Sequence, residues 1–189
     1  RELARKKIEA APHQNTDMLI EALNNPRRRV REQIYEILDL LNIRNLDAYR
    51  YVRGQAEEAY RHLQTAIRLG RFDAGSERDL LITHFQQKKQ VLTENTLRVL
   101  AAQDGTGKMA VILRGVFSTD AARRSNGLEA LDERLEKPLA KLLLPLLEPT
   151  DPERELTEAQ RHLDLAPAED DEVGFLRQLL DAKDWVVRE

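Results

Sequence analysis

Apolar residues recur along this chain at the period of an α-helix. In the segment 27–41 the apolar side chains are spaced three or four positions apart, which places them on one stripe. That stripe consists of Val30, Ile34, Ile37, Leu38 and Leu41. No segment alternates convincingly between apolar and polar residues as a half-buried β-strand does. The pattern therefore predicts an all-α protein made of amphipathic helices.

Cap and turn residues divide this pattern into helices joined by short breaks. The predicted helices cover residues 1–11, 17–24, 27–41, 47–69, 76–102, 108–117, 120–135, 138–147, 153–165 and 172–181, the last of which opens one more helix pair. Asp47 and Ser76 are the predicted N-caps of the two long helices, and Gly70 is predicted to end the first of them in the usual C′ position. Pro138 suits a first helical turn, whereas Pro145 is predicted to kink its helix.

The apolar positions of the two long helices predict what those helices bury. For the helix 47–69 the predicted inner face is Tyr49, Val52, Ala56, Ala59, Leu63 and Ile67. For the helix 76–102 it is Leu80, Leu81, Phe85, Val91, Leu92 and Leu100. The polar run 86–90 predicts an exposed middle or a kink. The acidic, proline-bearing segment 166–172 predicts a mobile loop.

Composition supports a folded helical domain and narrows the function. Hydrophobic residues make up 41% and charged residues 33% of the chain, and good helix formers dominate. The net charge of −3 argues against a dedicated nucleic-acid binder, which normally carries a basic excess. The chain has no cysteine, which excludes disulfides and thiolate metal sites. No apolar run is long enough to span a bilayer.

Three segments share a helix–turn–helix pattern, and they cover residues 23–31, 116–124 and 180–188. Each ends one helix with an apolar residue, turns through small or polar residues, and starts the next helix with an arginine at the same offset. The residues at this offset are Val30–Arg31, Arg123–Arg124 and Val187–Arg188. The spacing fits repeats of a two-helix unit of about 30–47 residues, which bury their apolar stripes by stacking.

This pattern resembles the HEAT repeat, in which the inter-helix turn carries Asp or Pro and precedes a Val–Arg pair. The resemblance implies a HEAT-like (armadillo-like) α-solenoid, a right-handed superhelix of antiparallel helix pairs, as one domain over residues 1–189. It also implies structural roles, knitting one turn to the next, for Val30, Arg31, Arg124, Val187 and Arg188. Arg123 departs from the pattern because it replaces the apolar residue. Residues 47–102 match no repeat, so we expect the solenoid to be irregular in the middle.

The segment Leu113–Glu148 carries a narrower resemblance, which rests on Arg124, Asn126, Leu128, Glu129, Leu131 and Asp132. It resembles the HEAT region of certain bacterial multidomain membrane proteins. In them that region follows a transporter-like membrane domain, and a cyclic-nucleotide-binding domain often follows it. The resemblance implies a cytoplasmic location, as the cytosolic part of an inner-membrane protein, and it transfers no catalytic residue or cofactor. We therefore expect this chain to be a fragment of a longer protein.

No motif in the chain predicts catalysis or metal binding. Residues 105–108, Gly-Thr-Gly-Lys, share the end of a phosphate-binding loop, but the earlier glycine and the hydroxyl residue after the lysine are missing. We interpret them as a turn. The histidines, which are His13, His62, His84 and His162, have no zinc-binding arrangement. Adjacent acids such as Asp132 and Glu133 point apart on a helix and are typical of a solvated face.

Two features of the sequence are candidate partner-binding sites. Arg27, Arg28 and Arg29 form the densest basic cluster together with Arg31, at a helix start where cations oppose the helix dipole. One interpretation is a solvated turn with a single structural arginine. The other is a site for an acidic protein surface or an anionic membrane surface. Trp185, the only tryptophan, is either an exposed partner anchor or a residue packed on the following helix.

The leading hypothesis is a non-enzymatic scaffold that mediates protein–protein or interdomain contacts, without a cofactor or a small-molecule ligand. The rival is a HEAT-like nucleic-acid-binding protein or DNA glycosylase, which the arginine cluster favours and the net acidity disfavours. A third hypothesis is an enzyme accessory subunit similar to chromophore-lyase-like HEAT proteins.

Overall fold

The computed structural model of this chain describes residues 16–23, 25, 27–41, 47–148, 151–165 and 171–181. These residues form nine α-helices and contain no strand, so the prediction of an all-α protein is confirmed for them. The helices are α1 (Thr16–Ala22), α2 (Arg28–Leu41), α3 (Ala48–Leu69), α4 (Ser76–Gln103), α5 (Lys108–Val116), α6 (Ala121–Arg134), α7 (Lys137–Leu147), α8 (Pro152–Gln160) and α9 (Glu172–Asp181). Outside the described residues lie the predicted helix 1–11, residues 166–170 of the predicted acidic loop, Trp185, Val187 and Arg188.

The two long helices, α3 and α4, form a helical hairpin with the most extensive packing in the described part of the chain. Asp47 is the N-cap of α3, as predicted, and its carboxylate accepts a hydrogen bond from the backbone N–H of Arg50 at 3.0 Å. Gly70 ends α3 where expected but keeps a right-handed conformation with φ −62°, so the usual left-handed C′ geometry does not occur. The predicted cap Ser76 is wrong, because Gly75 takes the N-cap position and the Ser76 hydroxyl bonds to Glu77 instead.

The predicted inner faces of α3 and α4 are confirmed in part. The buried members are Val52, Ala56, Ala59, Leu63, Phe85 and Leu100, and the half-buried members are Ile67, Leu81, Val91 and Leu92. Tyr49 is 45% exposed and Leu80 is 61% exposed, so the prediction that they are buried is wrong. Successive residues on a helix point about 100° apart. In α3 the inward stripe begins at Ala48, which turns Tyr49 outward. In α4 it runs through Leu81 and Phe85, which turns Leu80 outward.

The main hydrophobic core joins the inner faces of α3 to α8. Helix α3 packs against α7 and α8, which come much later in the chain, as well as against its sequence neighbour α4. The buried hydroxyl of Tyr60 donates a hydrogen bond to the backbone oxygen of Leu142 in α7 at 3.3 Å. In a one-dimensional solenoid each repeat contacts only its neighbours. Because α3 also contacts helices that are distant in the chain, its packing is that of a helix in a helical bundle.

The α1–α2 pair packs on α4 through a smaller apolar cluster with a polar centre. Asn95 of α4 is fully buried there. Its amide donates to the backbone oxygen of Leu23 at 3.0 Å, and its side-chain oxygen accepts a hydrogen bond from the Tyr35 hydroxyl of α2. An unpartnered buried amide would be costly, so these bonds fix where α1 and α2 sit on α4.

The remaining helix boundaries differ from the prediction mainly near helix ends. Helix α8 stops at Gln160 rather than near 165, although Leu163 beyond its end is still buried in the main core. Helix α7 begins with Pro138 in its first turn, as predicted, and continues through Pro145 to Leu147. Helix α4 is continuous through the polar run 86–90, in which only the glutamines are largely exposed. Helix α9 begins at Glu172, so the last residue of the predicted acidic loop is helical.

Helices α5 and α6 cross in close backbone contact at two glycines. A Cβ atom added to Gly127 would lie 2.4 Å from the backbone nitrogen of Val116 and 2.6 Å from the carbonyl carbon of Gly115. No side chain fits between these backbones, because the atoms that a methyl group would meet belong to main chain. Gly127 therefore sets the distance between the two helices.

We expect Gly127→Ala to lower the free energy of unfolding by about 3 kcal/mol, because the added methyl group forces α5 and α6 apart. The measurement is urea unfolding followed by circular dichroism. Gly54→Ala is the matched control, since its Cβ would meet no atom within 4 Å on the exposed side of α3. That control should gain about 0.5–1 kcal/mol from helix propensity. Equal stability of the two variants would contradict the close packing.

Candidate functional site

An open groove lies along the middle of α4, and we call it the basic groove. Its volume is about 1110 Å³, and α4 contributes most of its lining. The start of α2 forms one side and Phe117, which follows α5, lies at another. The lining residues are Asn25, Arg28, Arg31, Glu58, His62, His84, Gln87, Lys88, Gln90, Val91, Leu92, Glu94, Arg98 and Phe117.

Positive charge predominates in the basic groove. Its cations are Arg28, Arg31, Lys88 and Arg98, and its acids are Glu58 and Glu94. The guanidinium of Arg28 pairs with Glu32 at 2.9 Å, and that of Arg98 pairs with Glu94 at 3.3 Å. Both pairs are open to solvent, so each contributes little to stability. Their arginines can exchange these carboxylates for those of a ligand at small cost.

The predicted arginine cluster lies at the rim of this groove. Arg27, Arg28 and Arg29 are exposed, and Arg28 also lines the groove wall. Val30 is half-buried against the cluster of α1, α2 and α4. Arg31 is buried, and its guanidinium donates to the backbone oxygen of Asn25 at 2.9 Å, which holds the turn before α2. The structure thus divides the cluster into three exposed cations and one that is tied to the turn.

Arg124, the second repeat arginine, makes a comparable contact. Its guanidinium donates to the backbone oxygen of Leu147 at 2.6 Å and so connects the start of α6 to the end of α7. Arg31 and Arg124 both satisfy a backbone carbonyl near a helix terminus, where such oxygens lack partners within the helix. The third repeat arginine, Arg188, and the candidate anchor Trp185 lie outside the described residues.

A smaller pocket opens beside the basic groove, and sequence reasoning did not identify it. We call it the Phe117 pocket. It has a volume of about 280 Å³ and is lined by Tyr35, Arg98, Ala101, Ala110, Leu113, Arg114 and Phe117. It shares Arg98 and Phe117 with the basic groove. Phe117 was expected to end a helix, but it is the residue that follows α5 and it is 38% exposed. The sequence feature that could have identified Phe117 is its position as an aromatic residue directly before the Ser-Thr-Asp segment 118–120.

A second groove, of about 920 Å³, lies on another face of α4 and contains a buried ion pair. The ammonium of Lys89 donates to both carboxylate oxygens of Glu155 at 2.9 and 3.0 Å. The side chain of Glu155 is only 4% exposed. Burial raises the pKa of Glu155, and the hydrogen bond and charge of Lys89 oppose that rise. The pair connects α8 to α4, and we assign it a structural role.

The Asp104–Lys108 turn also has a structural role, which is to cap the start of α5. Gly107 adopts a left-handed conformation with φ +71° and cannot supply a side-chain cap to α5. The carboxylate of Asp104 takes that role, accepting from the backbone N–H of Met109 at 2.7 Å and from the hydroxyl of Thr106 at 2.7 Å. Arg134 of α6 donates to the same carboxylate at 3.0 Å. These bonds lower the pKa of Asp104 to about 2.

The histidines of the basic groove do not form a metal site. His62 and His84 flank the ring of Phe85, with ring centroids 5.6 and 5.4 Å from it. Within the described ranges, no three His, Asp or Glu side chains come together in a way that could hold a metal ion. The described helices also include none with the length and apolar character needed to cross a membrane.

Comparison with known proteins identified no relative. No protein-family model, curated protein or solved structure matched this chain.

We expect Lys89→Met to lower the free energy of unfolding by about 3–5 kcal/mol at pH 7, because it leaves the Glu155 carboxylate buried and unpaired. Without Lys89 the pKa of Glu155 rises further. A carboxyl whose folded-state pKa exceeds its unfolded value favours the folded state as the pH falls. The deficit relative to the parent protein should therefore shrink as the pH falls from 7 towards 4.5, through the raised pKa of Glu155 in the variant.

Denaturant unfolding of Lys89→Met between pH 7 and pH 4.5 measures this change. The paired variant Lys89→Met with Glu155→Leu should lose less stability than Lys89→Met alone, since no charge stays buried. A deficit that does not vary with pH would show that Glu155 is solvated in the folded protein.

We expect Asp104→Ala to lower the free energy of unfolding by about 1–2 kcal/mol at pH 7, through loss of the cap on α5. The folded-state pKa of about 2 lies below the unfolded value of about 3.9. The contribution is therefore present above pH 4 and is lost as the pH falls towards 2, where variant and parent should converge. Urea unfolding at several pH values tests this. Asp73→Ala, at an exposed residue between α3 and α4, is the control and should change stability by less than about 0.5 kcal/mol.

Proposed function

We propose that this chain is a non-enzymatic helical scaffold that binds a partner protein through the basic groove. The observation that carries the proposal is the groove itself, which is open, predominantly basic, and bordered by Arg27, Arg28 and Arg29. At a helix start these exposed cations gain nothing from the helix dipole. An anionic partner would form favourable ion pairs with these cations. Electrostatic complementarity of this kind speeds association and contributes to partner specificity.

We further propose that the scaffold is HEAT-like, with the α1–α2 and α5–α6 pairs flanking the central α3–α4 hairpin in an irregular superhelix. The backbone contacts of Arg31 and Arg124 support this, because they suit arginines that knit turns to neighbouring elements. The resemblance of Leu113–Glu148 supports the context of a bacterial membrane-associated transporter-like or signalling protein. In that context the domain would be cytoplasmic and would connect a membrane domain to a cyclic-nucleotide-binding domain or to a partner protein.

Two other anionic partners compete with an acidic protein. An anionic membrane surface would attract the exposed arginines, and a nucleic acid would do the same. The groove lining is less suited to a nucleic acid, because Glu58 and Glu94 interrupt its cations. Phe117 is the only aromatic carbocycle among the groove residues that the structure describes, whereas a flipped base needs a closed aromatic pocket.

We expect the triple variant Arg27→Ser, Arg28→Ser, Arg29→Ser to lose partner binding by at least about tenfold, with the remaining binding less sensitive to salt. Binding is measured by cross-linking and affinity capture from a cell extract at 50 and 300 mM NaCl. The control is Arg123→Ser, Arg154→Ser, Arg177→Ser, which removes equal charge from exposed positions elsewhere.

Two parallel assays test the competing partners. One uses vesicles that contain phosphatidylglycerol, and the other is a gel shift with duplex DNA at moderate salt. Capture that is equal for both triple variants would contradict the proposed role of the groove. Clear binding to vesicles or to DNA, without protein capture, would replace the acidic protein with that partner.

A further inference from the structure

We propose that the basic groove and the Phe117 pocket together bind an acidic peptide segment of a partner protein, which inserts one bulky apolar side chain into the pocket. This inference rests on the proposed function and specifies the chemistry of the partner. The acidic side chains on either side of the apolar residue would pair with Arg98 and Arg114. Further acids would lie towards Lys88 and Arg28.

The size and lining of the Phe117 pocket support one inserted side chain. Its volume of about 280 Å³ lies at the lower end of the roughly 300–1,000 Å³ of sites for small-molecule ligands, which suits one large side chain. Its floor is apolar and combines Ala101 of α4 with Leu113 of α5. The exposed ring of Phe117 adds an aromatic wall. Binding hot spots are commonly pockets of this kind that receive one large apolar or aromatic residue.

The pocket walls are preorganised. Tyr35 is buried, its hydroxyl donates to Asn95, and the guanidinium of Arg98 lies 5.1 Å from the centre of its ring. Burial raises the pKa of Tyr35, so its hydroxyl stays neutral at the edge of the site. Because these residues are already held in place, little side-chain entropy is lost there on binding.

Two guanidinium groups border the same pocket and favour an anionic neighbour for the apolar residue. Arg114 is exposed and forms no ion pair with any residue of the described ranges. Arg98 shares its charge with Glu94 at 3.3 Å across a solvent-exposed contact. A carboxylate of the peptide can bind either guanidinium with the bidentate geometry that arginine favours.

The direction of the groove sets the spacing of the peptide's acids. Arg98 and Lys88 are ten positions apart on α4, which corresponds to about 15 Å along the helix. An extended peptide covers that distance with about five residues at roughly 3.3 Å each. The proposal therefore requires an acid next to the apolar residue and a second acid about five positions away.

The test uses a fluorescein-labelled twelve-residue probe with one central Phe and four Glu, of which one adjoins the Phe and one lies five positions away. Fluorescence anisotropy measures its binding to the full chain. Matched peptides replace the Phe by Ala or every Glu by Gln. We expect each replacement to weaken binding by at least about tenfold.

Protein variants locate the binding site. Ala110→Trp should block the Phe117 pocket, because Ala110 is exposed and lines it. Val111→Trp is the matched control, since Val111 is 57% exposed and does not line the pocket. Arg114→Glu should repel the probe, whereas Arg177→Glu on α9 is the charge control. We expect at least about tenfold losses for the two pocket variants and changes within about twofold for the controls.

The outcomes separate this inference from the proposed function. Absence of probe binding up to millimolar concentration, or equal binding by Ala110→Trp and Val111→Trp, overturns the inference. If the probe fails these tests but capture of a partner protein still depends on Arg27, Arg28 and Arg29, the scaffold function stands without the pocket. If no partner protein is captured at all, the scaffold function fails. If duplex DNA or anionic vesicles bind the parent protein in preference to the probe, and the same pocket variants lose that binding, the proposal of a peptide ligand is overturned.

Discussion

The structure depends on the burial of α4 from several sides at once. Its second half packs against α2, α3, α5 and α7, and its buried residues there include Thr93, Asn95 and Thr96 as well as Leu97 and Val99. Polar side chains are tolerated because each has a partner. The hydroxyls of Thr93 and Thr96 donate to backbone oxygens one turn earlier, and Asn95 bonds to Leu23 and Tyr35. Since α4 contacts both α2 and α5, it fixes the separation of the two elements between which the Phe117 pocket opens.

The grooves follow from this arrangement. Helix α4 is longer than its neighbours and extends beyond the region where it is covered on all sides. Where its cover is incomplete, the stretch from His84 to Glu94 forms the floor of the basic groove. The ion pair of Lys89 and Glu155 holds α8 against α4 at the second groove, and the amide of Asn95 holds the α1–α2 pair against α4 beside the basic groove. The basic groove therefore combines a wall held by buried contacts with exposed arginines at its rim.

The sequence predicted individual elements better than their relations. It predicted all nine described helices closely enough to identify each, because helical periodicity and caps such as Asp47 are local. It also identified Arg27, Arg28 and Arg29 as a candidate partner-binding cluster. It did not predict that Phe117 would border a pocket or that Lys89 would pair with Glu155. Each of these depends on residues distant in the chain.

By itself, then, the sequence determined an all-α protein, the approximate helix boundaries and the location of the basic cluster. These properties arise from hydrogen bonds, caps and side-chain periodicity within a few turns of chain. Only the tertiary structure decided which exposed side chains share a groove and which cations are already engaged. It also decided that α3 lies among distant helices rather than in a simple stack of neighbours. The reason is physical, since burial and pairing across 60 residues or more are set by how helices pack together, as the contacts of Tyr35 with Asn95 and of Lys89 with Glu155 show.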